Sequence, residues 1–263
     1  MAKSSGLNVR LYVQGRDLSG DANALSSMGY ENNLYEITTL DSAATKRLMG
    51  NVDGTLSVDS YFEDTATTGS HATFTSNSGK LPTADQAVVV ALGASAGDPF
   101  YGLVSKESEY SVEGSYGDAL STNASFSVTN GTPPSFGEML TAHDDTHSSA
   151  GSGTVVDSGA SSSNGGYGFL QVISVASGSV TVNLQEATSS GGSYANFMTF
   201  STVAAAAAPA AEVLEMSGTV QRYIKVTTTG TFSNANTPFF VRGADGGGGT
   251  AGDFSLGSKL IWD

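Results

Sequence analysis

Residues 53–64 read DGTLSVDSYFED, and apolar and polar side chains alternate along most of this stretch. Leu56, Val58, Ser60 and Phe62 alternate with Thr55, Ser57, Asp59 and Tyr61. A period of two predicts a β-strand with one dry face and one wet face. Because a slip of one residue would exchange the two faces, the pattern also specifies the pairing register of this strand.

The same alternation recurs on both sides of this stretch. Residues 8–14 place Val9, Leu11 and Val13 on one side, and Ser121–Val128 alternates in the same way around Ala124 and Phe126. In residues 107–113, Tyr110 and Val112 oppose three glutamates and Ser111. The predicted wet face carries hydroxyls, amides and carboxylates with few positive charges, and its candidate residues are Asp59, Glu107, Glu109, Glu113, Ser121, Asn123, Ser125 and Ser127.

Composition supports an all-β chain of two domains. The 263 residues include 33 Gly, and only 14% are charged, which favours many short strands joined by turns. The formal net charge of −14 opposes simple electrostatic binding to nucleic acid or to an anionic membrane. The absence of cysteine excludes disulfides and thiolate sites. No apolar run has the length of a membrane span, so we expect a soluble chain made in a cytoplasm.

The predicted domain boundary is the Ser- and Gly-rich stretch SSAGSGTVVDSGASSSNGG at residues 148–166, which has the composition of a flexible linker. It separates a domain at 1–147 from a second one at 167–243, and a glycine hinge leads into an extension at 244–263. About six short strands predict a β-sandwich of the jelly-roll or immunoglobulin-like kind for the second domain. Before the linker, the capping-box spacing of Ser135 and Glu138 predicts a short helix that closes the first domain.

Candidate catalytic and metal-binding residues are few, and they lead us to predict a non-enzymatic protein without cofactors. His143 and His147, with two aspartates between them, would suit a divalent metal if the segment were helical, but it lies against the predicted linker. His71 has no evident catalytic partner and is interpreted as a loop histidine. The carboxylates of Asp59, Glu107, Glu109 and Glu113 fit a solvated strand face better than a general acid and base pair.

The order of segments resembles the major tail tube proteins of long-tailed, siphovirus-type bacteriophages. A strand ending in Thr38 and Thr39 is followed by a polar loop and a strand of the type Gly-x-Leu-x-Val-x-x-x-Phe-Asp-Asp, here with Gly54, Leu56, Val58 and Phe62 followed by Glu63 and Asp64. Residues 6–140 carry this resemblance. The second half, including residues 168–172, 180–187 and 218–226, resembles the β-sandwich appended to some of these proteins.

The resemblance implies a tail-tube-type β-barrel or sandwich domain and a structural virion protein. Its subunits would stack as homohexameric rings around a conduit for double-stranded DNA, which crosses the lumen without specific binding. An acidic, hydroxyl-rich wall would repel the phosphates. Asp41, Lys46 and Arg47 are candidates for contacts between rings, with a solvated loop as the alternative.

Further implications concern partners and location. The tape measure, terminator and distal tail proteins are the expected partners, and the expected location is the virion tail, assembled in the host bacterial cytoplasm without a membrane. The alternative function is a carbohydrate-binding or adhesin module that uses exposed aromatic platforms such as Tyr167, Tyr194 or Tyr223.

Overall fold

The chain is almost entirely β-structure in a computed structural model, which describes residues 8–76, 79–132 and 134–243. Its strands are β1 Arg10–Val13, β2 Arg16–Asp17, β3 Ala22–Glu36, β4 Arg47–Tyr61, β5 Gln86–Ala91, β6 Pro99–Glu113, β7 Ser121–Val128, β8 Ser135–Met139, β9 Thr146–His147, β10 Gly151–Ser152, β11 Val156–Asp157, β12 Gly166–Val172, β13 Ser174–Ala187, β14 Ala195–Thr199, β15 Val203–Ala204, β16 Ala210–Met216, β17 Tyr223–Thr229, β18 Phe232–Asn236 and β19 Phe239–Gly243. Helix α1 spans Ser70–Phe74, and a short 3₁₀ helix spans Ala205–Ala207. The all-β prediction is confirmed.

Two compact units divide the chain in a way that the sequence did not predict. Unit 1 comprises residues 1–19, 87–102 and 136–263, and unit 2 comprises residues 20–86 and 103–135. Strands that are far apart along the chain pair within unit 1, so the predicted boundary at residues 147 and 148 does not coincide with a change of unit. The predicted extension at 244–263 lies outside the described residues.

Unit 1 contains two antiparallel sheets that share one apolar core. The first runs in the order β16, β12, β19, β8, β6, β5, β1, β2, and the second in the order β10, β17, β13, β18, β9. Buried side chains from both sheets form the core, among them Leu170, Val182, Leu184, Ile224, Val226 and Phe239. Apolar burial on this scale is the main favourable contribution to folding of the unit.

The Ser- and Gly-rich stretch at 148–166 is part of the second sheet rather than a free linker. Strands β10 and β11 both pair with β17, at Thr227 and Thr228 and at Tyr223 and Ile224. Arg222 adds a bidentate contact to Asp157, with nitrogen–oxygen distances of 2.7 and 2.8 Å. The pairing partner of this stretch lies some 70 residues further along the chain. Local composition does not indicate such a distant partner, so it predicted a flexible segment.

The short helix predicted around Ser135 and Glu138 is also wrong. This segment forms β8, which pairs with β19 through Met139 opposite Phe240 and Glu138 opposite Val241. A helix of one or two turns is marginal in isolation. Pairing with a strand about one hundred residues away, together with burial of Met139, outweighs the local helix signal.

Unit 2 is built on a four-stranded antiparallel sheet. The long strands β3 and β4 form a hairpin, β4 also pairs with β7, and β7 pairs with the second half of β6. Helix α1 packs on one face of this sheet, where the ring centroids of Phe74 and Phe126 lie 6.0 Å apart. Within the described part of the chain, neither helix is long and apolar enough to cross a membrane.

Candidate functional site

One face of the unit 2 sheet is polar and the opposite face is dry. Along β7, Ser121, Asn123, Ser125 and Ser127 are half-buried, while the residues between them point to the dry face, with Thr122, Ala124 and Phe126 buried. We call the side formed by residues 55–61, 105–113 and 121–127 that carries these serines the polar face. The dry side of β4 carries Leu56 and Val58. The predicted alternation therefore holds along both of these strands.

Short hydrogen bonds join the polar face across its strands. Ser57 Oγ lies 3.0 Å from Ser125 Oγ, and Asn123 Nδ2 donates to Asp59 Oδ1 at 2.7 Å. These pairs are direct cross-strand neighbours in the β4–β7 register. Cross-strand polar pairs of this kind stabilise the sheet and hold its side chains in a defined orientation.

Asp59 carries its negative charge at neutral pH. The hydroxyl of Ser26 and the amide of Asn123 both donate to its carboxylate, and these bonds hold the pKa of Asp59 below its usual value. Hydrogen bonds to the ionised form are the physical cause, and they outweigh the opposing effect of partial burial.

The edge of the polar face adds further negative charge. Glu109 lies opposite Ser125 and Glu113 lies opposite Ser121, and both glutamates are exposed. The basic side chain on these segments, Lys106, forms an ion pair with Asp85 at 2.8 Å. The polar face therefore presents hydroxyls, an amide and carboxylates without an uncompensated positive charge among its described residues.

Glu107 does not share this face, contrary to the sequence prediction. A β-bulge between Glu107 and Glu109 shifts the register, so that Glu107 lies opposite Phe126 and is only 5% exposed. Burial raises the pKa of Glu107 to about 8. Strict alternation placed Glu107 with Glu109, and an inserted residue in one strand inverts that assignment.

His71 lies in helix α1 rather than in a loop. Its Nδ1 atom is 2.8 Å from the hydroxyl of Tyr110, and its ring stacks at a tilt on Phe62 with centroids 4.7 Å apart. Helix α1 thus covers the dry face with Phe74 and anchors to β6 through His71. The Thr-, Ser- and Gly-rich local sequence concealed this helix because its stability comes from packing rather than from propensity.

An extended arm, residues 30–54, projects beyond the four-stranded part of the unit 2 sheet. In the arm, β3 and β4 pair only with each other, and they carry Leu34 opposite Met49 and Tyr35 opposite Leu48. These four side chains are between 56 and 64% exposed. Successive pairs point to opposite faces, so both faces of the ribbon are apolar and uncovered. Most of β3 is not predicted from the sequence, because its Asn, Gly and Ser residues weaken the strand pattern.

The three predicted ring-contact residues lie at the outer end of the arm. Asp41, Lys46 and Arg47 are all exposed, and Leu40 beside them is fully exposed. The loop is closed by the Lys46 amide, which donates to Thr38 Oγ1 at 3.0 Å. Among the described residues, neither Lys46 nor Arg47 forms an ion pair.

A shallow depression of about 260 Å³ lies at the base of the arm, lined by residues 27–31 and 53–55. Glu31 and Asp53 are cross-strand neighbours there. Like charges directly opposite each other destabilise a strand pair. The base of the arm is therefore acidic, whereas its outer end carries the basic pair Lys46 and Arg47 beside Glu36 and Asp41.

The two histidines of the predicted metal motif are not on a helix. His143 lies in a turn, and His147 ends β9 with its Nε2 atom 2.9 Å from Asp145 Oδ2. Across residues 8–76, 79–132 and 134–243, no group of three or more His, Cys, Asp or Glu side chains is arranged to hold a metal ion.

The tyrosines proposed as sugar platforms in unit 1 have other contacts. Lys225 Nζ lies 4.2 Å from the ring centroid of Tyr194, and the Arg222 guanidinium lies 5.1 Å from that of Tyr223. Each cation covers one ring face in a cation–π contact. Tyr167 lies in β12 with hydrogen-bonded strands on both sides.

No protein-family model matches this chain, and no curated protein matches it either. Among solved structures, the chain is similar to a component of the virion of a native gene transfer agent particle, with 14% identity, a TM-score of 0.36 and coverage of 51% of this chain and 98% of the other. A component of the tail of an empty gene transfer agent particle, refined with C6 symmetry, gives 17% identity, a TM-score of 0.35 and coverage of 52% and 98%. The Dit protein of phage SPP1, described as a hub of the adsorption apparatus, gives 10% identity, a TM-score of 0.33 and coverage of 89% and 98%. Similarity at this level does not by itself define a shared function.

Proposed function

We propose that this chain is a structural protein of a phage tail, a tail tube subunit that stacks as homohexameric rings around a conduit for double-stranded DNA. The observation that carries the proposal is the polar face of unit 2, which is acidic, rich in hydroxyls and backed by a dry face under helix α1. The order of sequence motifs in residues 6–140 supports the same function.

The chemistry of the polar face suits the passage of DNA. The duplex carries one negative charge per roughly 1.7 Å of its axis. Asp59, Glu109 and Glu113 would repel these phosphates, and Lys106, held by Asp85, offers no free cation to bind them. We infer that Asp59, Glu109, Glu113 and the serines and asparagine of β7 line the lumen, whereas Glu107 does not.

The arm suits contacts between subunits. Large apolar side chains exposed on both faces of a two-stranded ribbon are typical of a surface that becomes covered on assembly. In a closed ring or a stack of rings, different surfaces of identical subunits meet head to tail. The basic pair at the outer end of one arm complements the acidic arm base of another copy, so Asp41, Lys46 and Arg47 remain our candidates for contacts between rings.

The remaining partners follow from the same proposal. The tape measure, terminator and distal tail proteins would cap and fill the tube, and assembly would take place in the host bacterial cytoplasm before incorporation into the virion. The strands of unit 1 from residue 166 onward would decorate the outer surface of the tube. We expect no enzymatic turnover.

Electron microscopy of the purified protein in negative stain tests the proposal directly. We expect hollow rings or tubes with sixfold symmetry, and sedimentation should show a species that grows with protein concentration. A monomer that persists at high concentration, also after addition of preformed tail tips as initiators, would contradict a tube subunit.

A further inference from the structure

Glu107 occupies an unusual position for a carboxyl group. Its side chain is buried, and neither carboxyl oxygen has a hydrogen-bond partner among the described residues. A buried carboxylate without partners is strongly disfavoured, so the group is held in its protonated form. Glu107 lies neither on the polar face nor in the arm, so the proposed tube function does not account for its burial.

A β-bulge lies next to Glu107 in strand β6, and a shift of this bulge would change which residue is buried. Glu107 lies opposite Phe126 and Glu109 lies opposite Ser125, which leaves Ser108 as the extra residue of the bulge. Ser108 is exposed, and its Oγ donates to the carbonyl of Ser125 at 3.1 Å. If the bulge moved by one residue toward the N-terminus, Ser108 would lie opposite Phe126 and Glu107 would become the extra residue.

We propose that the bulge in β6 is a proton-dependent switch. With Glu107 protonated, the bulge stays at Ser108 and the carboxyl group is buried. When Glu107 loses its proton, the bulge moves by one residue, the small side chain of Ser108 replaces it against Phe126, and the carboxylate reaches solvent. Residues from Glu109 onward keep their register, so the remainder of the polar face is undisturbed.

Tyr110 is a titratable side chain that interacts electrostatically with Glu107. On β6, Tyr110 has a pKa raised to about 12 by burial and, secondarily, by the charge of Glu107. On α1, His71 contacts the Tyr110 hydroxyl. Neighbouring β7 residues Thr122 and Phe126 are uncharged, and Gln86 on β5 presents a buried amide oxygen without a partner. Lys106, the preceding residue in the sequence, forms an ion pair with Asp85.

The sign of the pH dependence follows from burial. Because the folded protein holds the Glu107 proton more tightly than the unfolded chain does, its stabilising effect is complete below pH of about 4.5 and is lost as the pH rises toward 8. The bulge movement would limit this loss, since it gives the ionised group access to water.

Backbone amide NMR of the full chain between pH 6 and 10 tests the switch. We expect the signals of residues 106–110 and 125–127 to change together with one midpoint near pH 8, and Glu107→Gln to keep the low-pH signals throughout. A transition that persists in Glu107→Gln, or one in which the Phe126 and Ser108 amides do not change, would overturn the proposal.

A second variant keeps the test decisive. Deletion of Ser108 removes the extra residue, so the ionised carboxyl group can no longer be released by moving the bulge. We expect this variant to unfold at a lower alkaline pH than the wild type, as followed by circular dichroism. Equal alkaline unfolding midpoints for the deletion and the wild type would show that the bulge does not relieve ionisation.

Discussion

Gly15 is a residue at which the backbone of unit 1 is tightly constrained. It follows Gln14 in the two-residue turn between β1 and β2, and its φ of +78° lies in the left-handed region. A Cβ at this position would lie 2.4 Å from the carbonyl oxygen of Ala210. Both the conformation and the close approach of a neighbouring strand therefore require glycine.

Gly15→Ala is expected to destabilise the protein by at least about 2 kcal/mol, because backbone strain and a steric clash add together. Urea unfolding followed by far-UV circular dichroism measures this change. Gly20→Ala is the matched control, since no heavy atom lies within 4 Å of its Cβ position. Equal unfolding midpoints for the two variants would contradict the role given to Gly15.

Gln171 is a fully buried amide that satisfies two backbone groups. Its Oε1 accepts from the Gly15 amide at 2.6 Å, and its Nε2 donates to the Ala87 carbonyl at 3.4 Å. Gln171→Leu would leave the Gly15 amide buried without this partner, whereas the Ala87 carbonyl would keep the bond that it accepts from the Gln14 amide at 3.1 Å. We expect a loss of about 1–3 kcal/mol in the free energy of unfolding.

The control for this substitution is Gln185→Leu, which removes an exposed hydrogen bond to Asn196. Its expected cost is below about 1 kcal/mol. If Gln171→Leu costs no more than Gln185→Leu, the buried Gly15 amide has found another partner.

At the scale of elements, substitutions in the arm allow assembly to be tested separately from folding, because its exposed apolar side chains are not part of a core. The double variant Leu34→Glu with Met49→Lys places a pair of opposite charges on one exposed face without disturbing a core. We expect its unfolding midpoint to equal that of the wild type, while rings and tubes disappear from negative-stain images. The control is Leu34→Met with Met49→Leu, which keeps the surface apolar and should assemble normally.

The charged ends of the arm make a second prediction for this element. Lys46→Glu with Arg47→Glu should leave rings intact but stop their stacking, because the acidic arm base of the next copy would then meet negative charge. Adding Glu31→Lys and Asp53→Lys to the same chain should restore tubes. Normal tubes from the first variant would show that Lys46 and Arg47 lie outside the contact between rings.

At the scale of the whole molecule, the effect of the net charge of −14 on DNA depends on where the acidic residues lie. Replacing Glu109 and Glu113 with lysine should leave tubes able to form but make them retain short DNA duplexes, and retention should fall steeply with salt. Co-sedimentation of labelled duplex with tubes measures this effect. Asp144→Lys with Glu215→Lys makes the same charge change at exposed positions of unit 1. If both variants retain DNA equally, Glu109 and Glu113 do not face the lumen.

The division of the molecule into two units could not be predicted from the sequence alone. Residues 20–86 and 103–135 form unit 2, and the segments before, between and after them form unit 1. A boundary placed by composition assumes that neighbours in sequence fold together. The pairing of β12 with β19 and of β8 with β19 breaks that assumption, because these contacts join distant parts of the chain.

The sequence by itself determined the β class, the dry and polar sides of β4 and β7, and the acidic character of the polar side, because alternation and charge are local properties. Only the tertiary structure decided that Glu107 is buried, that Ser135–Met139 is a strand and that His71 packs on Tyr110. Each of these depends on an inserted residue or on a partner far along the chain. Local propensities differ by less than the free energy that such pairing and burial contribute, so the distant partner determines the outcome.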